Sequence, residues 1–308
     1  MFRLTALAFT VLLVATGVQA DNRALVAQTG DDNNARIDQT GPLNETLVRQ
    51  NGQGNDAAVY QGSVAEANMA DIAQVGSGNQ AAIYQGDESH FASASIYQQG
   101  NDNRADVVQS WYVNELQLSS VGDSNSLTVT QLGYATAEGR QIGNGNTLSL
   151  TQDGFYHSTQ TAVYQVGNDN LARIDQRDGS LIQLAQNGNA NEARIEQYSL
   201  FAEVVFNQAG DRNLLSVEQS GRDNGLRGSS TGNDNSVTVE QRFDGNRASV
   251  VQRGDDNLAE IHQQAEYNEA RITQTGDANA AYITQAAADM AAIIQQSGSG
   301  NLATVSQQ

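Results

Sequence analysis

The sequence has no cysteine, no lysine and a single proline, Pro42, and only 6% of it is aromatic. Without cysteine, disulfides and thiolate metal sites are excluded. Without lysine, a Gly-x-x-x-x-Gly-Lys phosphate loop is excluded, and every basic side chain is arginine. Acidic residues number 35 against 16 basic ones, a formal net charge of −19. Such a surface repels nucleic acid and anionic lipid rather than binding them. Beyond residue 20 no stretch approaches the ~18 consecutive apolar residues of a membrane span. A chain of 308 residues with 29 glycines and so few rings does not describe an ordinary core, so stability has to come from repetition.

The first twenty residues are of another kind. Arg3 sets a positive start, Leu4 to Ala15 form a short apolar run, and Val18-Gln-Ala20 offers small residues for cleavage. This is the pattern of a secretory signal peptide. It predicts a mature chain that begins near Asp21 and leaves the cytoplasm, with residues 1–20 as the signal and 21–308 as one repeat domain.

The repeating unit is clearest at Gln165-Val-Gly-Asn-Asp-Asn-Leu-Ala-Arg-Ile-Asp-Gln176. From Asn170 the residues alternate strictly. Asn170, Ala172, Ile174 and Gln176 fall on one side, and Leu171, Arg173 and Asp175 on the other, which predicts a strand with one buried face. The preceding Gly167-Asn-Asp-Asn170 supplies residues that tolerate positive φ and reverse the chain. The same corner recurs with glycine at Gly30, Gly52, Gly76, Gly100, Gly122, Gly143, Gly167, Gly188, Gly210, Gly232, Gly254, Gly276 and Gly298. Each opens a strand, at Asn33, Asn55, Asn79, Asn103, Asn125, Asn146, Asn170, Asn191, Asn213, Asn235, Asn257, Asn279 and Asn301. Each strand closes on a glutamine, at Gln39, Gln61, Gln85, Gln109, Gln131, Gln152, Gln176, Gln197, Gln219, Gln241, Gln263, Gln285 and Gln307.

The mean step is about 22 residues, a period that signals a solenoid. A second, less regular strand lies between successive corners, as in Asn44-Glu-Thr-Leu-Val-Arg-Gln50. Two strands of seven and two links of four close the arithmetic, and the expected fold is all-β: a β-solenoid of about thirteen strand-turn-strand units with two facing parallel sheets, cross-β-like. With strands ~4.8 Å apart, thirteen turns predict a flat rod on the order of 60 Å long. The inward sets are small, so the sheets approach closely, as in a steric zipper. Stacked inward Asn and Gln are expected to pass amide hydrogen bonds from turn to turn, because a buried amide left unpaired costs about 1–3 kcal/mol.

Some units depart from the pattern. Gln61 to Gln74, Gln85 to Gln98 and Gln152 to Gln165 carry two extra residues, expected to bulge from one corner. Gln131 to Gln141 is one short and puts Glu138 and Gly139 where a strand should be. The ladder is expected to be weakest there. Leu226-Arg-Gly228 loses an apolar inward residue and Ser180 to Gln186 closes a shortened unit; both predict local disorder or irregular turns.

No catalytic constellation is present. His90, His157 and His262 sit in different repeats at unrelated phases, so no enzyme activity, cofactor or metal site is expected. Acidic corners such as Gly254-Asp-Asp-Asn257 raise the question of calcium, but the nonapeptide rhythm of calcium-binding rolls is absent. These Asp read as gatekeepers against mispairing. Outward Tyr60, Tyr84, Tyr97, Tyr164 and Tyr282 read as β-propensity or as an aromatic strip for adhesion or lateral packing.

The motif Gln-x-Gly-x-x-Asn-x-Ala-x-(Ile/Val)-x-Gln, seen at Gln28 to Gln39 and Gln98 to Gln109, resembles the repeat of the curlin family, the subunits of curli functional amyloid on Gram-negative bacteria. The resemblance covers residues 21–308. It implies export through the periplasm and the curli secretion channel with periplasmic accessory proteins. It further implies templated folding at the cell surface into a homopolymeric extracellular fibre, with other curlin subunits as partners, supporting biofilm and adhesion. A nucleator or minor subunit is the alternative within the family, and a monomeric β-solenoid surface adhesin the alternative outside it.

Overall fold

A computed structural model describes residues 11–12, 22–62, 67–86 and 88–308. The signal-peptide reading falls almost wholly outside the described residues; within it, Val11 and Leu12 pair antiparallel with Val26 and Leu25. The chain divides into two compact units, one ending at Gly145 and one spanning Asn146–Gln308. It is an all-β, parallel-strand β-solenoid of about 13 turns with about 22 residues per turn.

In the first unit, Asn34–Gln39, Asp56–Gln61, Gln80–Gln85, Arg104–Ser110 and the start of Ser126–Ile142 pair only with one another. Arg23–Thr29, Glu45–Gln53, Met69–Ser77, Ser93–Asn101, Asn114–Val121 and the end of Ser126–Ile142 form the facing sheet. The second unit repeats the plan. The start of Thr147–Val166 stacks with Leu171–Arg177, Glu192–Leu200, Leu214–Arg222, Ser236–Gln241, Leu258–Gln263, Ala280–Gln285 and Leu302–Gln307. The end of Thr147–Val166 stacks with Leu181–Asn187, Glu203–Ala209, Gly225–Thr231, Arg247–Arg253, Glu269–Thr275 and Ala291–Ser297. Every pairing within these sheets is parallel, because one turn lifts the chain one level and returns it in the same direction.

Register follows chemistry. Ile174, Ile195, Val217, Val239, Ile261, Ile283 and Val305 are direct partners in sequence, so a slip of one residue would turn a whole apolar column outward. Ala172, Ala193, Leu215, Val237, Ala259 and Ala281 form the neighbouring column, each fully buried.

The two kinds of corner differ in composition. On the glycine edge, where the thirteen repeat glycines lie, each glycine has a positive φ, for example 126° at Gly188. A Cβ there would stand 2.1 Å from the Gly210 carbonyl oxygen, so the close stacking of one corner on the next is open only to glycine. No aromatic residue lies in these corners. The opposite edge carries rings: Phe91, Trp111, Tyr112 and Tyr134 in the first unit, and Phe155, Tyr156, Tyr198, Phe201, Phe243 and Tyr267 in the second.

Three expectations of irregular structure are corrected. Glu138 and Gly139 lie within a regular strand: Ala135 to Ile142 pair in register with Asn114 to Val121, Ala135 and Ala137 are buried, and Glu138 points outward. The missing residue is taken up in the corner Leu132–Tyr134, which shortens without shifting the strand. The weakness sits instead in the rung below, where Asn114 Oδ1 is buried without a partner. Gly225–Thr231, with Gly228, pairs in register on both sides, because Gly228 lies against the ring of Phe206. The unit from Ser180 keeps a regular strand, Leu181–Asn187. Its shortening is absorbed at Asp178, which has a φ of 30°, and the Ser180 hydroxyl donates to the Ser199 carbonyl at 2.6 Å.

Candidate functional site

The inward amides are the most highly organised polar groups in the molecule. Alternation turns both ends of each strand inward, and away from the outermost strands these Asn and Gln side chains are almost fully buried. In the second unit Gln152, Gln176, Gln197, Gln219, Gln241, Gln263, Gln285 and Gln307 form one column. Each Nε2 donates to the Oε1 of the next, at 2.6 to 3.4 Å. In the first unit Gln39, Gln61, Gln85, Gln109 and Gln131 do the same at 2.8 to 3.0 Å.

The asparagine columns run in the opposite sense. Asn55, Asn79, Asn103 and Asn125 each donate from Nδ2 to the Oδ1 of the Asn one turn earlier. So do Asn170, Asn191, Asn213, Asn235, Asn257, Asn279 and Asn301. The second Nδ2 proton of Asn33, Asn55, Asn79, Asn103, Asn146, Asn170, Asn191 and Asn213 goes to a corner carbonyl one turn later, as from Asn170 to Gly188 at 2.8 Å. Each side-chain amide therefore ties together three consecutive levels.

A further use of the glutamines escapes sequence reasoning. The Nε2 of Gln50 also donates to the Asn34 carbonyl at 2.9 Å, and Gln74 likewise reaches Asp56 O at 3.0 Å. Gln98 and Gln208 do the same with the Gln80 and Glu192 carbonyls at 3.0 Å, so these end-of-strand glutamines cap the start of a strand in the facing sheet and join the sheets as well as the turns. The second-sheet column is interrupted where serine replaces glutamine. The Ser120 hydroxyl donates to Gln141 Oε1 at 3.2 Å and the Ser230 hydroxyl to Gln252 Oε1 at 2.8 Å, so a hydroxyl carries on the pattern with a shorter reach.

The terminal levels are half-finished. Among the described residues Asn34–Gln39 pairs on one side only, with Asp56–Gln61, and Leu302–Gln307 only with Ala280–Gln285. Gln39 Oε1 and Asn301 Oδ1 accept no hydrogen bond from the described residues.

Outside the core the polar groups are simpler. Tyr60 and Tyr84 stack with centroids 4.8 Å apart, their planes 8° from parallel. His262 Nδ1 lies 3.0 Å from Glu240, which also meets Arg242. Arg212 binds Asp234 one turn away at 2.6 Å, and that hydrogen bond holds the Asp234 carboxyl below its ordinary value. No group of three or more His, Cys, Asp or Glu among the described residues is arranged to hold a metal ion.

The geometry defines a class: parallel β-solenoids of two-strand turns held by buried amide ladders. Residues 20–41, 143–177, 232–264 and 267–290 match the family model of the curlin associated repeat, so the chain carries curlin-type repeats over these stretches. That family is structural rather than enzymatic. No curated protein matches the chain.

Proposed function

We propose that this chain is a structural subunit of an extracellular, curli-type amyloid fibre, growing by templated addition of further copies. The observation that carries the reading is the polarity of the ladders. Within the amide columns each glutamine donates to the glutamine of a later turn, and each asparagine to the Oδ1 of the asparagine one turn earlier. Leu302–Gln307 therefore ends with an unused amide proton on Gln307 and a free acceptor on Asn301. Asn34–Gln39 begins with a free acceptor on Gln39 and the main-chain N–H of Asn33.

The two half-finished levels are chemical complements, so a second copy continues both columns in register. Exposed edges that match in this way template the next chain. The biological setting of this reading is supported by the repeat family and by the charge and apolar pattern of the first twenty residues: residues 1–20 act as a signal peptide, residues 21–308 as the exported domain, and the fibre lies outside the cell, where it serves biofilm matrix and adhesion. Other curlin subunits, the secretion channel and its periplasmic helpers are the partners of that setting.

The test is a time course of purified residues 21–308 followed by thioflavin T fluorescence, with and without preformed seeds, and fibre diffraction of the product. A lag abolished by seeds, with a reflection near ~4.8 Å, is the expected result. A folded monomer that never seeds would overturn the proposal.

A further inference from the structure

We propose that Tyr60 with Tyr84, and Tyr112 with Tyr134, are sites of oxidative cross-linking, each pair joined by a carbon–carbon bond between its two phenol rings under a peroxide-driven one-electron oxidant. These bonds form within one chain, so the proposal goes beyond the fibre reading and does not depend on it. Tyr60 and Tyr84 are direct partners in the parallel ladder, and their ring centroids stand 4.8 Å apart with planes 8° from parallel. That is the ~4.8 Å spacing of the strands themselves, so the two rings rise from the sheet one above the other. Asp38 and Val108 hold the next positions of the column, which ends the run at two phenols. Tyr112 and Tyr134 precede the paired residues Asn114 and Ala135 on the ring-bearing edge, with centroids 5.0 Å apart and planes 5° from parallel. Tyr84, Tyr112 and Tyr134 are 43%, 41% and 41% exposed, so an oxidant in solvent reaches each pair.

Stacked rings also serve ordinary cross-strand packing; what sets these pairs apart is that both members are oxidisable phenols. Each phenol gives up one electron and its hydroxyl proton and becomes a phenoxyl radical, with unpaired spin on the carbons ortho to oxygen. The two radicals join there in one C–C bond, and each ortho hydrogen then moves through solvent to its own oxygen, which restores both phenols. The pair has lost two electrons and two protons in all, and these reduce one hydrogen peroxide to two waters. Proximity selects the partner, because radicals held in one stack meet at an effective concentration that separate chains do not reach. With no cysteine in the chain, such a bond ties successive turns covalently where a disulfide is excluded.

The experiment treats the full mature chain, folded and in parallel denatured in urea, with a haem peroxidase and hydrogen peroxide, then maps cross-linked peptides by proteolysis and mass spectrometry. In the folded chain Tyr60–Tyr84 and Tyr112–Tyr134 are expected to exceed every coupling of Tyr97 or Tyr282 by about tenfold or more. The ladder partners of Tyr97 are Ala73 and Ser119, and those of Tyr282 are Glu260 and Thr304, so neither has a phenol one level away in its column. Tyr84→Phe keeps the ring and the stack, and is expected to remove the first cross-link and leave the second; Tyr134→Phe is expected to do the reverse. The denatured chain shows that the oxidant works and is expected to give scattered pairs. The same scatter in the folded chain, coupling mainly between copies, or a folded chain that does not couple while the denatured one does would overturn the proposal. Seeded growth of the untreated chain reads the fibre proposal separately, because neither substitution touches a terminal level.

Discussion

Phe206 and Gly228 occupy the same inward position in successive turns, and a Cβ on Gly228 would lie 2.3 Å from the Val250 carbonyl oxygen on one side and 2.7 Å from Phe206 Cε2 on the other. Phe206 is fully buried in a core otherwise built of Ala, Val, Leu and Ile, and its ring takes the space its neighbour gives up. Gly228→Val is expected to destabilise by about 1–3 kcal/mol through overpacking, and Phe206→Ala by about 3–5 kcal/mol through a cavity. Phe206→Ala with Gly228→Val is expected to cost less than the sum, with a coupling of about 1 kcal/mol or more. Thermal and denaturant unfolding of the four proteins measures it; strict additivity would mean that the ring and the glycine are independent.

Two glycines with similar roles in the sequence should differ sharply on substitution. Gly188→Ala combines a φ of 126° with a Cβ 2.1 Å from the Gly210 carbonyl oxygen, and we expect a loss of about 2–4 kcal/mol. Gly54→Ala has a φ of 64° and nothing within 4 Å of the new Cβ, so only the left-handed backbone opposes it, at about 1–2 kcal/mol. Equal losses at the two sites would show that corner stacking is looser than the geometry requires.

Gln219 accepts from Gln197 at 2.8 Å and donates to Gln241 at 2.6 Å. Gln219→Ala strands a buried donor on one side and a buried acceptor on the other, an expected cost of roughly 2–5 kcal/mol. Thr238→Ala, on the outward side of the next turn, is expected to stay within about 0.5 kcal/mol. Urea midpoints of the two variants make the comparison, and a similar shift in both would remove the ladder from the list of stabilising features.

The Arg212–Asp234 pair predicts one pH effect. The folded-state pKa of Asp234 is depressed by its hydrogen bond from Arg212. Its contribution is therefore present above the unfolded carboxylate value and lost as pH falls through the depressed folded value. Both side chains are exposed, so the effect is small. Carboxyl chemical shifts followed by NMR should place the Asp234 midpoint below that of an isolated aspartate, and Arg212→Gln should raise it. An unchanged midpoint would mean the pair does not persist in solution.

Much of the fold was legible because a repeat states the same rule many times. Period-2 alternation at Asn170 to Gln176 sets which residues turn inward, and a recurrence near 22 implies a stack of turns. What defeated local reading were the places where one turn compensates for another. Gly228 looked like a missing core residue, and its reason lies in Phe206, 22 residues earlier. Glu138 and Gly139 looked like a broken strand, yet the corner Leu132–Tyr134 absorbs the deletion. The capping of Asn34 by Gln50 and of Asp56 by Gln74 crosses between sheets, and no repeat pattern announces it.

The sequence by itself determined the class of fold, the inward set and the glycine corners, because these depend on spacing within one repeat and on the φ that glycine tolerates. Only the tertiary structure decided the direction of each amide ladder, the pairing of large rings with glycines and the gathering of aromatic residues on one edge. Those depend on which residues lie one level apart, and ladder partners stand 21, 22 or 24 positions away according to how each corner takes up its insertions.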